Sequence, residues 1–318
     1  MKLSVAMITY NQERFIAQAI ESVLAQNVNF DYEIVIGEDC STDGTRVVVM
    51  DFQRRYRERI KLLLRERNIG GFRNIESTLA ACHGEYVAIL EGDDYWTSVD
   101  KLQRQVDFLD AHPDYAVCCH RARWINETGL AETFAEAFVF PSLAAGPYAI
   151  DDLLKDNFVV TCSAVLRRDL SGPLPPCFSK TKVGDWPRYV LAAKHGKIEL
   201  MDDIMAVYRM HSGGMWSSMS RLTRLEECSQ MLKTLDKQLG YDYTNTIRQT
   251  LCRFHLETAS IARQEGKRMR TARHVISCLR NGGWQLPGSR RMLAGLAAYA
   301  LIGSSYKVFS RAKQATHG

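Results

Sequence analysis

The first 111 residues alternate four times between short apolar runs and amphipathic segments, a pattern that few folds accommodate. Four apolar runs have the length of buried strands, namely residues 3–9, 33–37, 60–64 and 86–90. Helical spacing follows each run, in residues 12–26, about 14 residues from Asp43, residues 72–82 and residues 99–111. Because the connections are short, the pattern predicts an α/β fold with a mainly parallel sheet covered by helices. Asn11 is predicted to cap the first helix.

The pattern changes after residue 113. Strands are predicted at residues 115–124, 159–167 and 206–209, and a helix at residues 185–195. From about residue 220 onward the spacing is almost entirely helical, with breaks at Gly240, Gly282–Gly283 and Pro287–Gly288. This change predicts two domains, residues 1–217 and 218–318.

Polar side chains follow three of the predicted strands, as Tyr10–Asn11, Glu38–Asp39 and Glu91–Asp94. Ligands of parallel α/β sheets bind at the carboxyl ends of strands, so these clusters predict a binding site. Glu91, Asp93 and Asp94 repel one another unless a cation lies among them. Mg²⁺ and Mn²⁺ take such oxygen ligands and share them with substrate phosphates. A solvated acidic turn is the alternative.

Two roles are open for Glu38 and Asp39. Their carboxylates can accept hydrogen bonds from a base or a ribose, or they can cap the following helix. Ser41, Thr42 and Asp43 also supply capping side chains, which would leave Glu38 and Asp39 free for a ligand.

Several functions are excluded by motifs that the sequence lacks. It has no GxxxxGK[ST] loop, no GxGxxG after the first strand and no GxSxG, which argues against P-loop, dinucleotide-binding and α/β-hydrolase enzymes. Its nine cysteines form no CxxC pair, and no export signal precedes the first strand, so a reducing cytoplasmic location is expected. No aromatic-interleaved basic motif supports nucleic-acid binding.

A set of motifs occurs in one order along residues 3 to about 217. They are Ser4–Asn11, Ile20–Leu24 with Gln26, Glu38–Thr45, Asn68, Gly70, Asn74, Leu90–Trp96, Lys101–Leu102, Gly184–Trp186 and Tyr208–His211. In this order and spacing the chain resembles the family 2 inverting glycosyltransferases. The resemblance implies the GT-A fold, a layered α/β/α nucleotide-diphospho-sugar transferase fold, with a helical region after it. It also implies sugar transfer from a nucleotide donor, expected to be a UDP-sugar, to a sugar or lipid-linked saccharide in cell-surface polysaccharide synthesis.

The resemblance assigns roles at the donor site. The nucleotide pocket would be lined by Tyr10, Asn11, Glu38 and Asp39. Glu91-Gly92-Asp93 stands where the family carries its DXD motif, with Glu in first place, so Glu91 and Asp93 are expected to contact the nucleotide. Asp93 and Asp94 are the expected ligands of Mn²⁺ or Mg²⁺, and the sequence does not decide between them.

Three further residues have implied roles near the reacting atoms. Asp185 stands where the family carries the general base that takes the acceptor proton; its alternative role is to cap the helix that starts there. Arg209 and His211 fall in a segment that is expected to contact the donor diphosphate or the metal.

The end of the chain is strongly basic. Residues 267–318 carry ten Lys or Arg and no Asp or Glu, although the net charge of the whole chain is only +5. Residues 286–312 alternate cationic and apolar patches, and the apolar stretch is too short to cross a bilayer. Such a helix is expected to lie on an anionic inner leaflet, which would hold a cytoplasmic enzyme at the membrane. A packed helical bundle with a solvated basic face is the alternative.

Two other functions are weighed against the transferase. A scaffold or nucleotide-sugar-binding protein that has kept the fold but lost turnover is opposed by the retained Asp93, Asp94 and Asp185. A nucleotidyltransferase would carry a Gly-rich basic loop after the first strand, where this chain has Tyr10–Glu13.

Overall fold

The computed structural model describes residues 1–126, 131–132, 143–170, 172–285 and 288–302. The chain divides into two compact units. The first comprises Met1–Leu153 and Asn157–Ser218, and the second comprises Leu154–Asp156 and the chain from Met219 onward.

Within the described residues, the first unit is built on a ten-stranded sheet. Its strands are β1 (Leu3–Thr9), β2 (Tyr32–Glu38), β3 (Ile60–Leu64), β4 (Tyr86–Glu91), β5 (Tyr95–Trp96), β6 (Tyr115–Asn126), β7 (Ala131–Glu132), β8 (Gly146–Tyr148), β9 (Val165–Arg167) and β10 (Lys197–Met210). Their order is β3-β2-β1-β4-β9-β6-β10-β5, with β7 paired to β6 and β8 paired to β10. The first four strands pair in parallel, as do β6 and β10, while β9 runs antiparallel between β4 and β6.

Helices alternate with these strands, and their apolar faces cover the sheet. They are α1 (Ile16–Leu24), α2 (Thr45–Arg55), α3 (Gly71–Ala80), α4 (Lys101–Ala111), α5 (Ile150–Lys155) and α6 (Asp185–Ala193). Strand residues such as Val5 and Ile34 share one buried core with Ile16, Ile20 and other helix residues. Each aliphatic side chain buried in this way contributes roughly 1.5–3 kcal/mol. The predicted layered α/β fold with a mainly parallel sheet is confirmed.

The cap predicted at Asn11 is wrong. Helix α1 begins at Ile16, with Phe15 in the capping position and no side-chain cap. Asn11 has a φ of +53°, and its Oδ1 accepts a hydrogen bond from the amide of Thr42, 2.8 Å away. Its side chain therefore joins the loops that follow β1 and β2, and does not begin the helix.

Two later strands differ from their predicted extents. Strand β10 covers 14 residues, where only residues 206–209 were expected, because register shifts between Met201 and Ala206 accommodate a polar interruption. There Asp202 and Asp203 pair with arginines outside the core. The strand expected at residues 159–167 is a 3₁₀ turn, Thr161–Ser163, followed by the short β9.

The second unit contains the helices α7 (Arg221–Gln238), α8 (Thr244–Gln264), α9 (Arg268–Arg280) and α10 (Ser289–Ile302). Glycines with positive φ lie between them, at Gly240 (+67°), Gly282 (+82°) and Gly288 (+76°), as the predicted breaks require. Of the described helices, none has both the length and the apolar character of a membrane span. Of the basic segment predicted to lie on a membrane, residues 286–287 and 303–312 fall outside the described residues.

A buried histidine pair joins three helices of this unit. The Nδ1 atoms of His255 on α8 and His274 on α9 are 3.1 Å apart. His274 Nε2 lies 3.1 Å from a carboxylate oxygen of Glu226 on α7, which also pairs with Arg270. Burial, together with the neighbouring His274, lowers the pKa of His255 to about 4.

Gly37→Ala tests the close packing of α3 on β2. A Cβ at Gly37 would lie 2.2 Å from Thr78 Oγ1 and 2.5 Å from Asn74 Oδ1. We expect the substitution to lower the free energy of unfolding by roughly 1–3 kcal/mol, measured by urea denaturation followed by fluorescence. The control is Gly172→Ala, where nothing lies within 4 Å of the added atom. Equal stability of both variants would contradict the packing described.

The His255 pair predicts a loss of stability in mild acid. Because the pKa of His255 falls from 6.5 to about 4 on folding, the unfolded chain binds the proton more tightly. The contribution of neutral His255 is complete above pH 6.5 and is lost as the pH falls towards 4. We expect the thermal midpoint to fall across this range in the wild type and to fall less in His255→Leu. The exposed His195→Leu should retain the wild-type slope; identical slopes in all three proteins would rule the mechanism out.

Candidate active site

Three carboxylates converge where β4 ends. Glu91 is the last residue of β4, and a turn brings the amide of Asp94 within 3.0 Å of the carbonyl oxygen of Glu91. Glu91, Asp93 and Asp94 each place one carboxylate oxygen within 4.8 Å of the others, the only such cluster among the described residues. Gly92 makes this turn possible: a Cβ there would lie 2.6 Å from Gln12 Oε1 and 2.8 Å from Ile16 Cδ1.

Bringing these carboxylates together is electrostatically unfavourable. Burial and then repulsion by Asp93 and Asp185 raise the pKa of Glu91 to about 8. Burial and then repulsion by Asp93 and Glu91 also raise the pKa of Asp94 well above its ordinary range. A cation bound among them would relieve this cost.

Each aspartate has one oxygen held by the protein and one without a partner. Asp93 Oδ2 lies 2.9 Å from His211 Nε2, and Asp94 Oδ1 accepts a hydrogen bond of 2.9 Å from the amide of Arg209. Asp93 Oδ1 and Asp94 Oδ2 are buried and have no hydrogen-bond partner in the described part of the chain. Buried carboxylate oxygens of this kind fit a hard divalent cation, so the donor set suits Mn²⁺ or Mg²⁺.

The end of β10 fixes the acidic turn. The guanidinium of Arg209 lies 5.0 Å from the ring centre of Phe15 and 4.5 Å from that of Tyr95. It donates to the carbonyl oxygen of Asp93 at 2.6 Å and to Gln18 Oε1. The structure thus places both Arg209 and His211 at the acidic cluster, and their contact with the diphosphate or the metal stays a prediction. Arg209 is engaged by protein groups, a role that the sequence did not reveal.

Asp185 is the first residue of α6, with Gly184 in the capping position. Its Oδ2 lies 3.4 Å from Asn157 Nδ2 and 3.4 Å from Thr161 Oγ1. Burial raises the pKa of Asp185, and the charge of Asp185 in turn contributes to the raised pKa of Glu91. The two carboxylates therefore share one electrostatic environment, although 94 residues separate them in sequence.

Asn157 and Thr161 are site residues that sequence reasoning missed. Thr161 lies in the segment predicted as a strand and Asn157 lies just before it, and the polarity of the two side chains was the only available signal. Asn157 Oδ1 is buried and has no partner among the described residues. Since Asn157 and Thr161 both reach Asp185, they orient its carboxylate.

Four of the six predicted nucleotide contacts, Tyr10, Asn11, Glu38 and Asp39, lie at the ends of β1 and β2. These strands pair in parallel with Thr9 opposite Glu38. Tyr10 is 43% exposed and so is open to a ligand. The amide of Asn11 donates to Ser41 Oγ at 3.0 Å, so the loops after both strands are joined.

Glu38 and Asp39 are not free, contrary to the expectation that Ser41, Thr42 and Asp43 would leave them so. Glu38 is fully buried; it accepts a hydrogen bond from the amide of Ser41 at 2.6 Å and forms an ion pair with Arg46. Asp39 accepts hydrogen bonds from the amides of Ile69 and Gly70, at 2.8 and 2.9 Å. Both carboxylates therefore hold loop backbone at this edge of the sheet.

Trp96, Trp124 and Trp186 are part of the core. Trp96 donates from Nε1 to the carbonyl oxygen of Cys162, and Trp186 to that of Leu153. Both are almost completely buried, as is Trp124. None of the three presents an exposed face to a sugar.

Residues 4–171 of the chain, which contain most of this site, are similar to a known protein family. The family model described as "Glycosyl transferase family 2" matches residues 4–171, which include β1, β2 and the acidic turn. The chain belongs to glycosyltransferase family 2. An uncharacterised protein of Mycobacterium tuberculosis, Rv1520, is 39% identical over 217 residues, which are 68% of this chain and 61% of that protein. The chain thus spans about three-fifths of the length of that protein.

Solved structures agree on the fold of this family 2 chain. TarS of Staphylococcus aureus, residues 1–349 in complex with UDP-GlcNAc, superposes with a TM-score of 0.67 at 17% identity, covering 96% of this chain and 92% of the other. The mannosyltransferase PcManGT of Pyrobaculum calidifontis, in complex with GDP-Man and Mn²⁺, gives a TM-score of 0.58 at 17% identity, covering 98% and 83%. These similarities confirm the GT-A fold expected from the sequence.

Asp93→Asn and Asp94→Asn test the metal site. We expect each variant to lose more than about tenfold in Mn²⁺ affinity, because each removes charge at a buried oxygen that has no other partner. Titration calorimetry of the metal alone measures this change. Asp107→Asn, an exposed carboxylate on α4, is the matched control and should bind Mn²⁺ like the wild type. Unchanged affinity in both Asp93→Asn and Asp94→Asn would place the metal elsewhere.

Proposed function

We propose that the chain transfers a sugar from a nucleoside-diphosphate sugar to an acceptor hydroxyl, with inversion at the anomeric carbon. The main observation is that Asp93 and Asp94 present buried, unpartnered oxygens in the same electrostatic environment as a third carboxylate, Asp185. Asp93 and Asp94 suit a metal ion with its diphosphate, and Asp185 suits a general base. Membership of family 2 supports the same reaction class.

On the donor side, Asp93 and Asp94 would hold Mn²⁺ or Mg²⁺, with His211 beside them. Such an ion, when bound, neutralises the charge that develops on the diphosphate as the bond to the sugar breaks. Arg209 keeps the turn in place through the carbonyl oxygen of Asp93 and the carboxylate of Asp94. The proposed contacts to the nucleoside are Glu91, Tyr10, Asn11, Glu38 and Asp39. Of these, Asn11, Glu38 and Asp39 also shape the surrounding loops.

On the acceptor side, Asp185 is the proposed base. The acceptor oxygen forms a bond to the anomeric carbon, the bond from that carbon to the diphosphate oxygen breaks, and the acceptor proton passes to Asp185. A single displacement of this kind inverts the configuration. Burial raises the pKa of Asp185, which makes its carboxylate a stronger base than an exposed aspartate. Asn157 and Thr161 direct Asp185 Oδ2.

A UDP-sugar is the donor that we propose, since TarS was crystallised with UDP-GlcNAc. A GDP-sugar is the alternative donor, since PcManGT was solved in complex with GDP-Man. The proposed acceptor is a sugar or a lipid-linked saccharide of a cell-surface polysaccharide, made on the cytoplasmic face of the membrane. TarS is named as a poly(ribitol-phosphate) β-N-acetylglucosaminyltransferase, and its substrate is likewise a polymer.

Asp185→Asn tests the base. Nucleotide release is measured on UDP-, GDP- and dTDP-sugars, with Mn²⁺, with Mg²⁺ and with a chelator. We expect one donor to turn over in a metal-dependent manner, and Asp185→Asn to lower its kcat about 10²- to 10⁴-fold while donor binding persists. In the wild type, kcat/KM should decline as the pH falls through the raised pKa of Asp185, because the protonated acid cannot accept the acceptor proton.

Two results would contradict the proposal in different ways. Full turnover in Asp185→Asn would mean that another group is the base. Donor binding without turnover in the wild type, even with membrane lipid extract as acceptor, would support a scaffold that has lost activity. Asp107→Asn is again the control and should retain wild-type kinetics.

A further inference from the structure

The exposed face of α9 has an unusual composition. Met269, Arg273, Ile276 and Arg280 follow one another at spacings of four, three and four residues, so they form one row along the helix. The opposite face, which includes Thr271, His274, Val275 and Cys278, is buried in the second unit. The row is therefore the outer face of a packed helix. It interleaves large apolar side chains with arginines, where a solvated helix face would carry mixed charges.

The apolar members of the row are strongly exposed. Met269 is 83% exposed and Ile276 is 48% exposed, and Leu279 beside the row is 45% exposed. Leu301, at the end of α10, is 80% exposed. Arg268 donates to the carbonyl oxygen of Leu301 at 2.8 Å, which places Leu301 next to the start of the row. Exposed apolar groups gathered in this way mark an interaction surface.

The charges around this surface are mostly positive, although Lys267 pairs with Glu265 and Arg270 pairs with Glu226. Helix α9 contains no carboxylate, and no Asp or Glu occurs from residue 266 to the end of the chain. Arg273 and Arg280 make no ion pair with any residue that the structure describes. An open depression of about 580 Å³ lies at the start of the helix, lined by Gly266, Lys267, Arg268, Met269, Arg270 and Arg273. Its size and charge suit a phosphate-bearing headgroup, and the positive end of the helix dipole adds to the attraction.

We infer that this face of α9 docks the second unit on an anionic lipid bilayer, with Arg273 and Arg280 at the headgroups and Met269 and Ile276 in the apolar boundary below them. A bilayer interface binds both the arginines, at its headgroups, and the apolar side chains, at its acyl boundary. A second copy of the chain would bring arginine against arginine, which is repulsive. A nucleic-acid backbone would attract the arginines but would leave Met269 and Leu301 exposed to water or to phosphate.

This surface differs from the one that the sequence suggested. The sequence placed membrane contact in residues 286–312, whereas the row lies on residues 269–280 and adds only Leu301 from that segment. The inference does not depend on transferase activity, because binding to vesicles is measured without a donor sugar.

The test is sedimentation of the full chain with vesicles of phosphatidylcholine, alone or with part of it replaced by phosphatidylglycerol. We expect binding to the anionic vesicles, little binding to the neutral ones, and release by added salt. Arg273→Gln with Arg280→Gln should lower the partition coefficient about 30-fold, from roughly fivefold for each cation lost near the surface. Lys237→Gln with Arg248→Gln, exposed cations of α7 and α8, is the matched control and should bind like the wild type.

A second variant tests the apolar half of the row. Met269→Ser with Ile276→Ser should weaken binding to anionic vesicles several-fold and should leave nucleotide release on a soluble acceptor unchanged.

A partition coefficient equal to that of the wild type in Arg273→Gln with Arg280→Gln would overturn the inference, and so would equal binding to neutral and anionic vesicles. A dimer in solution that these substitutions dissociate, or displacement from vesicles by double-stranded DNA alone, would assign the row to another partner and would also overturn it.

Discussion

The first unit depends on one electrostatic arrangement, the burial of Glu91, Asp93 and Asp94 at the end of β4. Mutual repulsion and burial oppose it, as the raised pKa values of Glu91 and Asp94 show. The end of β10 stabilises it from across the sheet: Arg209 binds the backbone of the turn, and His211 binds Asp93. Two oxygens remain without partners in the described structure, and they are the atoms that a divalent cation would use. The fold thus holds together carboxylates that repel one another, and a cation bound with the donor would relieve that repulsion.

Contacts within the chain also hold the loops that surround the acidic turn. The carboxylates of Glu38 and Asp39 accept hydrogen bonds from backbone amides, and Glu38 also pairs with Arg46. The loops after β1 and β2 are therefore held by contacts within the chain itself. Asp185 is positioned by Asn157 and Thr161 from a separate segment. The proposed metal ligands and the proposed base are therefore positioned by different parts of the chain.

Sequence alone predicted the first four strands and their helices to within a few residues, because apolar spacing records which face each element buries. It also assigned Asp93, Asp94, Arg209 and His211 to one site through the family resemblance, and the structure brings them together. It could not show that Arg209 lies between Phe15 and Tyr95, since those contacts join residues far apart in the chain. Nor could it extend β10 to Lys197, because Asp202 and Asp203 interrupt the apolar pattern at a bulge.

The most direct test of this account is the anomalous diffraction of Mn²⁺ in crystals grown with UDP. The account predicts one peak at about 2.0–2.2 Å from Asp93 Oδ1 and Asp94 Oδ2, with the diphosphate oxygens completing the shell. It also predicts that Asp185 faces the open side of the diphosphate, where the sugar would lie. A Mn²⁺ peak away from these two carboxylates, or UDP bound at another edge of the sheet, would contradict it.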